Sequence, residues 1–267
     1  MRGTVSSTAL VLSSGDIPWP PSIDDFYLPD LTGGHGVLLT KFTAMVWLAV
    51  AIILVFFLVA YRNPKMVPSK AQWLAESIYG FNRDGIAKEI IGHDGLRFAP
   101  YLATLFCFIA VTNIFAIIPL LQISPNSHIA FPILLALITY VLYIYWGIKK
   151  HGFGHFMKMS LVPPNVPGWL LPLLILIEGL QNFILRPFTL SLRLFANMFA
   201  GHMMLLVFTL GGFVMLNANT LLFPVSLLSW ALAIGLTLFE ALICLLQAYV
   251  FVLLTSSYLQ TSLAEEH

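Results

Sequence analysis

Two long stretches of this chain carry no Asp, Glu, Lys or Arg, and nothing else in it restricts the fold as strongly. Residues 98–148 contain none, and neither do the 46 residues between Arg193 and Glu240. Each run exceeds the roughly 20 apolar residues that cross a hydrocarbon core of about 30 Å. Backbone in lipid must satisfy its own hydrogen bonds, so runs like these are helices. Composition agrees: the chain is 59% hydrophobic and 9% charged, whereas soluble domains carry about 25% charged residues. The chain therefore reads as an all-α, polytopic integral membrane protein. Cys107 and Cys244 lie in apolar sequence and suggest neither a disulfide framework nor a CxxC metal site.

The first 40 residues are polar, with Asp16, Asp24, Asp25 and Asp30, and "PWPPS" and "TGGHG" argue against a packed helix there. The apolar "ALVL" is too short for the core of a cleaved signal. Residues 41–267 form a single membrane domain. Its first helix is expected at about 41–61 and is followed by six basic residues within 62–97. The positive-inside rule puts that stretch in the cytoplasm and the N-terminus outside. The uncharged run 98–148 is too long for one span, and "QISPNSH" at 122–128 has turn composition, so helices are expected at about 99–121 and 129–148. They return the chain to Lys149, Lys150 and Lys158. His151 and His155 in the following segment are read as part of a solvated loop, because two ligands without a third make a poor zinc site.

Two further apolar stretches, 170–216 and 221–263, flank "NANT" at 217–220. A straight helix of 43 residues would be about 65 Å long, twice the hydrocarbon thickness. No charged loop breaks either stretch, so each is expected to be one long helix, steeply tilted and held against a partner surface. About five membrane helices result, and the C-terminus falls in the cytoplasm.

Glu178, Arg186, Arg193, His202 and Glu240 interrupt these last two stretches. Arg186, next to Pro187, can snorkel to an interface. Glu178 is either a helix-end carboxylate near water or part of a proton path. Arg193, His202 and Glu240 lie deeper, and an arginine at the centre of a membrane helix costs about 2.5–3.5 kcal/mol on insertion scales, so such charges mark a pathway or a pair. Thr189, Arg193 and Asn197 fall on one helical stripe, and Glu240, Cys244 and Gln247 share a face of the next helix. An antiparallel hairpin turning near residues 220–221 would set Arg193 opposite Gln247 and His202 opposite Glu240. One tension remains: nine residues turn a helix by about 180°, so Arg193 and His202 should face opposite ways. Either Gly201 permits a local distortion or the helices curve around something.

"RPFTLSLRLFANMFAGH" (186–202) followed by "FEALICLLQAYVFVLLTSSYL" (239–259) resembles the signature of subunit a of the rotary F-type ATP synthase, and "AYVFVLLT…LAEEH" is similar to actinobacterial members. The resemblance implies a bacterial plasma-membrane protein that is not itself catalytic and needs no cofactor or metal. It implies that Arg193 is the essential arginine beside a ring of c subunits, with Gln247 facing it and Asn197 and Thr189 on the same stripe. His202 and Glu240 align with a histidine–carboxylate pair of the outer half-channel, a pair some members carry in the opposite order. Asn113 aligns with a polar residue of that channel, and Glu178 with a carboxylate of the cytoplasmic one. The two long helices would lie tilted along the ring. The implied partners are the c-ring, the b/delta-type subunits of the peripheral stalk, the F1 sector indirectly and membrane lipid, with no nucleic acid. No GxxxxGK[ST] phosphate loop is present. The competing reading is a stand-alone secondary transporter or ion channel, which would enclose its own substrate cavity. A third, a purely structural assembly subunit, leaves the cost of Arg193 unexplained.

Overall fold

The computed structural model describes residues 41–62, 64–118, 124–162, 170–218 and 223–264. The N-terminal 40 residues, most of "VPPNVPG", the second half of "NANT" and the last three residues lie outside them. Every regular element among the described residues is helical, and five helices are long and apolar enough to cross a membrane.

Helix α1 (Lys41–Ala60) is apolar all round and touches the remainder through a small cluster of Met45, Ala49 and Phe115. The basic stretch after it, for which the sequence supplied no element, is also helical. Ser69 caps α2 (Lys70–Gly80) by accepting from the Gln72 amide. A π-helical continuation (Phe81–Ile91) and a short 3-10 turn (His93–Phe98) lead into α3. Gly92, with φ of +87°, makes the bend between those two segments, a backbone conformation that only glycine adopts freely.

Helix α3 (Ala99–Ile114) ends seven residues before the expected boundary. Pro119 explains the difference, because its ring would clash with the carbonyl four residues earlier and it has no N–H to donate. Helix α4 (Ala130–His151) follows. The segment expected to be a solvated loop then folds into α5 (Phe153–Leu161). Gly152, at φ +79°, makes the sharp reversal, and Gly147 leaves room for the Phe156 ring, which lies where a side chain would stand. Gly147 and Gly152 are thus the residues that let this helix pack back on α4. The His151 and His155 rings lie 5.8 Å apart, with no third metal-binding side chain grouped with them among the described residues.

The C-terminal third consists of two rods. Helix α6 (Leu171–Gly179), a π-helical turn (Leu180–Leu185) and α7 (Arg186–Ala218) run on without a break. Pro187 again supplies the reason for the π turn: a residue without an N–H must leave one carbonyl of the preceding turn unbonded, and a shifted hydrogen-bond register absorbs the loss. Helix α8 (Phe223–Leu263) has 41 residues, about 60 Å at 1.5 Å per residue, and passes through Gly235 without a break. The two rods are packed as an antiparallel hairpin. Ser226 and Ser229 of α8 donate to the carbonyls of Gly212 and Phe208 on α7, at 2.7 and 2.6 Å. At Gly212 the Trp230 indole occupies the place of a side chain.

The C-terminal half of α8 is the centre of the molecule. Phe251, Val252 and Leu259 are fully enclosed, packed with Leu102 and Ile109 of α3 and Leu190 and Leu194 of α7. Between Phe223 and Phe239, by contrast, Ser226 alone is buried, so half the hairpin leans on the core and half projects from it. Spin labels at the exposed pairs Met204 with Leu238 and Phe213 with Leu228 should therefore report short separations. Distances consistently above about 20 Å, far beyond a helix–helix spacing of 8–10 Å, would contradict the hairpin.

Candidate functional site

The stripe expected on α7 is present and faces outward: Thr189, Arg193 and Asn197 are exposed, whereas Leu190, Ser191, Leu194 and Met198 on the adjoining face are buried. Ala196 and Ala200 are exposed beside the stripe and leave it shallow. Among the described residues no carboxylate lies within ion-pair distance of Arg193. Tyr258 of α8 lies near it and also under the Arg186 guanidinium, at 5.2 Å.

On α8, Glu240, Cys244 and Gln247 are buried on one face as expected. The rung opposite Gln247 differs from the sequence reading by one helical turn. Asn197, not Arg193, donates its side-chain amide to the Gln247 carbonyl at 2.7 Å. Four residues on, Gly201 faces the Glu240 carboxyl, and a Cβ on that glycine would come within 2.9 Å of Oε1. Asn197 and Gly201 share a face of α7 as Glu240 and Gln247 do on α8, which removes the tension over Arg193 and His202. No distortion is needed, since α7 stays helical through Gly201. Arg193 stands on one flank of the contact face, and the half-buried His202 projects nearly opposite it.

A polar cluster surrounds the Glu240 end. Asn113, buried near the end of α3, donates its amide to the Cys244 carbonyl at 3.4 Å, and the Cys244 thiol donates to the Asn113 carbonyl at the same distance. Asn126 had been read only as part of a turn. It inserts from the 3-10 turn Pro125–Ser127 and donates to Thr112 Oγ1 at 2.8 Å and Asn113 Oδ1 at 2.7 Å. Asn126 and Thr112 are thus site residues that sequence reasoning missed. The adjacent pair Thr112–Asn113 in an otherwise apolar helix was the available signal for Thr112, whereas nothing local pointed to Asn126. Both Glu240 carboxyl oxygens are buried without a hydrogen-bond donor among the described residues. Buried polar groups in proteins are as a rule hydrogen-bonded, to protein or to ordered water.

A second polar region lies beyond the other side of Arg193. Glu178, Asn182 and Arg186 line a cavity of about 210 Å³ with Tyr143, Ser160 and Ser262. Asn182 joins its walls by donating to Glu178 Oε2 at 3.2 Å and to the Ser160 carbonyl at 2.7 Å, while its own carbonyl accepts from the Tyr143 hydroxyl at 2.9 Å. Asn182 sits in the π-helical turn, where the shifted register exposes carbonyls to such partners. Sequence reasoning missed Asn182 and Tyr143, although Asn182 stands one turn after Glu178 and was legible by spacing. The structure thus brings Asn113 against Cys244, one turn from Glu240, and Asn197 against Gln247, places Glu178 on a separate cavity, and leaves Thr189 and Arg193 exposed between.

The basic segments meet at the Glu178 end of the molecule. Lys150 forms an ion pair with Asp94 at 3.7 Å and donates to the Leu263 carbonyl at 2.9 Å, so the start of α3 and the ends of α4 and α8 lie together.

The family model described as ATP synthase A chain matches residues 43–260. An ATP synthase subunit a from Nocardioides sp. is 40% identical over 275 aligned residues, covering 99% of this chain and 100% of that protein. The one from Pseudarthrobacter chlorophenolicus is 44% identical over 252, covering 93% and 94%, and that from Frankia alni is 44% identical over 237, covering 88% and 81%. This chain therefore belongs to the ATP synthase subunit a family, as a multi-pass membrane component of that complex with a part in proton transport and ATP synthesis.

Proposed function

We propose that the chain is the proton-conducting stator of the membrane sector, forming two aqueous half-channels against a ring of c subunits and coupling proton flow to its rotation. The observation that carries this reading is the position of Arg193: exposed, without a carboxylate partner among the described residues, and between two polar regions. A stand-alone transporter would enclose its charges within itself, whereas this stripe faces outward.

Arginine does not lose its proton in a protein. A ring carboxylate passing Arg193 is held ionised, because an opposite charge nearby lowers an acid's pKa by about 1–3 units. It must therefore release its proton on one side of Arg193 and collect another on the far side, and the fixed positive charge opposes a proton leaking directly between the two. Glu240, His202 and Asn113 serve the outer path, with Thr112 and Asn126 as the added polar lining, and Glu178 and Asn182 serve the cytoplasmic path. Asn197 and Gln247 tie the two rods together beside the arginine. Each charge that crosses contributes about 2.3 kcal/mol per 100 mV, which the ring converts to torque. In the bacterial plasma membrane this sets the basic end and the C-terminus in the cytoplasm and the N-terminus outside, in accord with the charge rule. Docking of b/delta-type subunits of the peripheral stalk, and through them of the F1 sector, belongs to the same reading.

Arg193→Ala is expected to reduce proton-coupled ATP synthesis to background while the protein still inserts and assembles. Arg193→Lys should fail as well, since a point ammonium lacks the planar fork and shifts its pKa readily. Near-normal coupled synthesis by either variant, measured in inverted vesicles, would refute the proposal.

His202 and Glu240 are expected to act as a pair. Single exchanges, His202→Glu or Glu240→His, place two like groups together and should slow proton flux, whereas the double exchange should retain more flux than either single. Strict additivity of the two losses in vesicle flux measurements would show that the residues act independently.

A further inference from the structure

At the basic end of the molecule a charged pocket and an apolar groove adjoin at one tryptophan, Trp146, which lines both. The pocket, about 230 Å³, is lined by Asp94, Arg97, Trp146, Lys149 and Lys150. The groove, about 540 Å³, runs along α4 between Leu137 and Trp146, over Ile138, Val141, Leu142 and Tyr145. We infer that pocket and groove together form a binding site for one phospholipid with an anionic headgroup, its phosphate at Arg97 and Lys149 and an acyl chain along α4.

Three observations support this occupant. The first is charge: Asp94 is engaged by Lys150, which is also bound to the Leu263 carbonyl. Arg97 and Lys149 have no carboxylate partner among the described residues, so the pocket is left with excess positive charge. The second is pre-organisation. Arg97 lies 4.5 Å from the centre of the Trp146 ring and 4.9 Å from that of Phe98, and Lys149 lies 4.7 Å from Trp146. These contacts hold both cations in place over aromatic faces while their polar atoms remain exposed, as an incoming phosphate requires. Phe98 is buried against Trp146 edge to face, at 5.2 Å, which fixes the indole in turn. The third is length: the groove extends nine residues along α4, about 14 Å at 1.5 Å per residue, close to the half-thickness of a hydrocarbon core of about 30 Å. Tryptophan at the junction suits the headgroup boundary, where its amphipathic ring is favoured. A groove one leaflet deep that ends in excess positive charge fits a lipid better than a soluble anion, which would make no use of the apolar half. The site does not depend on the proton path and would stand if that reading fell.

The test uses the full chain in nanodiscs and reads quenching of the Trp146 fluorescence, isolated as the difference between the wild type and Trp146→Phe. Brominated phosphatidylglycerol at low mole fraction should quench Trp146 at least about fivefold more effectively than brominated phosphatidylcholine, fivefold being the factor expected for one basic side chain near an anionic lipid. Arg97→Gln and Lys149→Gln should each reduce that preference, and raised salt should weaken it in the wild type. Inorganic phosphate at equal concentration should not abolish it. Equal quenching by the two lipids would overturn the site, as would a preference that survives both substitutions, or one that inorganic phosphate removes. Protection of Trp146 from both lipids in the assembled complex would show that a protein subunit covers the groove, and would overturn it too.

Discussion

A guanidinium that keeps its proton at any accessible pH stands on the outward face of a helix that must otherwise be apolar enough to remain in a bilayer. Most of the architecture answers to that conflict. Within the described chain, Arg193 has no carboxylate against it, so its compensation has to come from water or from another subunit. The chain presents it accordingly, on a shallow stripe bordered by Ala196 and Ala200, where the surface of a partner could approach closely. The two polar regions lie on either side of that charge, one walled by α3 and α8 and the other by α4, α5 and the π-helical turn.

Holding the stripe in place requires two rods longer than a membrane is thick. Neither would be positioned by lipid alone, since excess length licenses tilt without specifying its direction. Direction comes from packing, through the enclosed half of α8 around Phe251, Val252 and Leu259. Register comes from polar rungs, Asn197 on Gln247 and the two serines on α7 carbonyls, and from glycines where the rods touch. Gly201 and Gly212 each leave the space that a Glu240 carboxyl or a Trp230 indole fills. Two glycines within a helix would cost about 1 kcal/mol each by propensity, a cost offset here by close approach.

Much of this was legible from the residues. Uncharged runs and their lengths gave the helix count, because lipid restricts a backbone to few solutions, and the polar residues within them gave the antiparallel direction of the hairpin. The outward stripe and the buried face of Glu240 followed from helical periodicity. What periodicity could not supply was contact between distant elements. It placed Gln247 opposite Arg193, when the hydrogen bond reaches Asn197 one turn away, because a shared number line does not say which way each side chain leans. It extended α3 to residue 121, giving hydrophobicity more weight than Pro119. It read the segment after α4 as a solvated loop, although Gly147 and Gly152 create the room and the reversal that let α5 fold back. Asn126 was illegible for a different reason: its role exists only where a turn meets α3.

The central claim is that the Arg193 stripe is the surface against which the c-ring turns, and proximity tests it more directly than activity does. With Cys107 and Cys244 replaced, single cysteines at Thr189, Ala196 and Ala200 would be paired with cysteines along the outer helix of a c-type subunit in the assembled complex. A disulfide requires Cα atoms within about 4.4–6.8 Å. Cross-links should form from these three positions and fail from Leu190 and Leu194, which face the core. Absence of cross-links from the stripe, or equal yields from the inward positions, would contradict the claim.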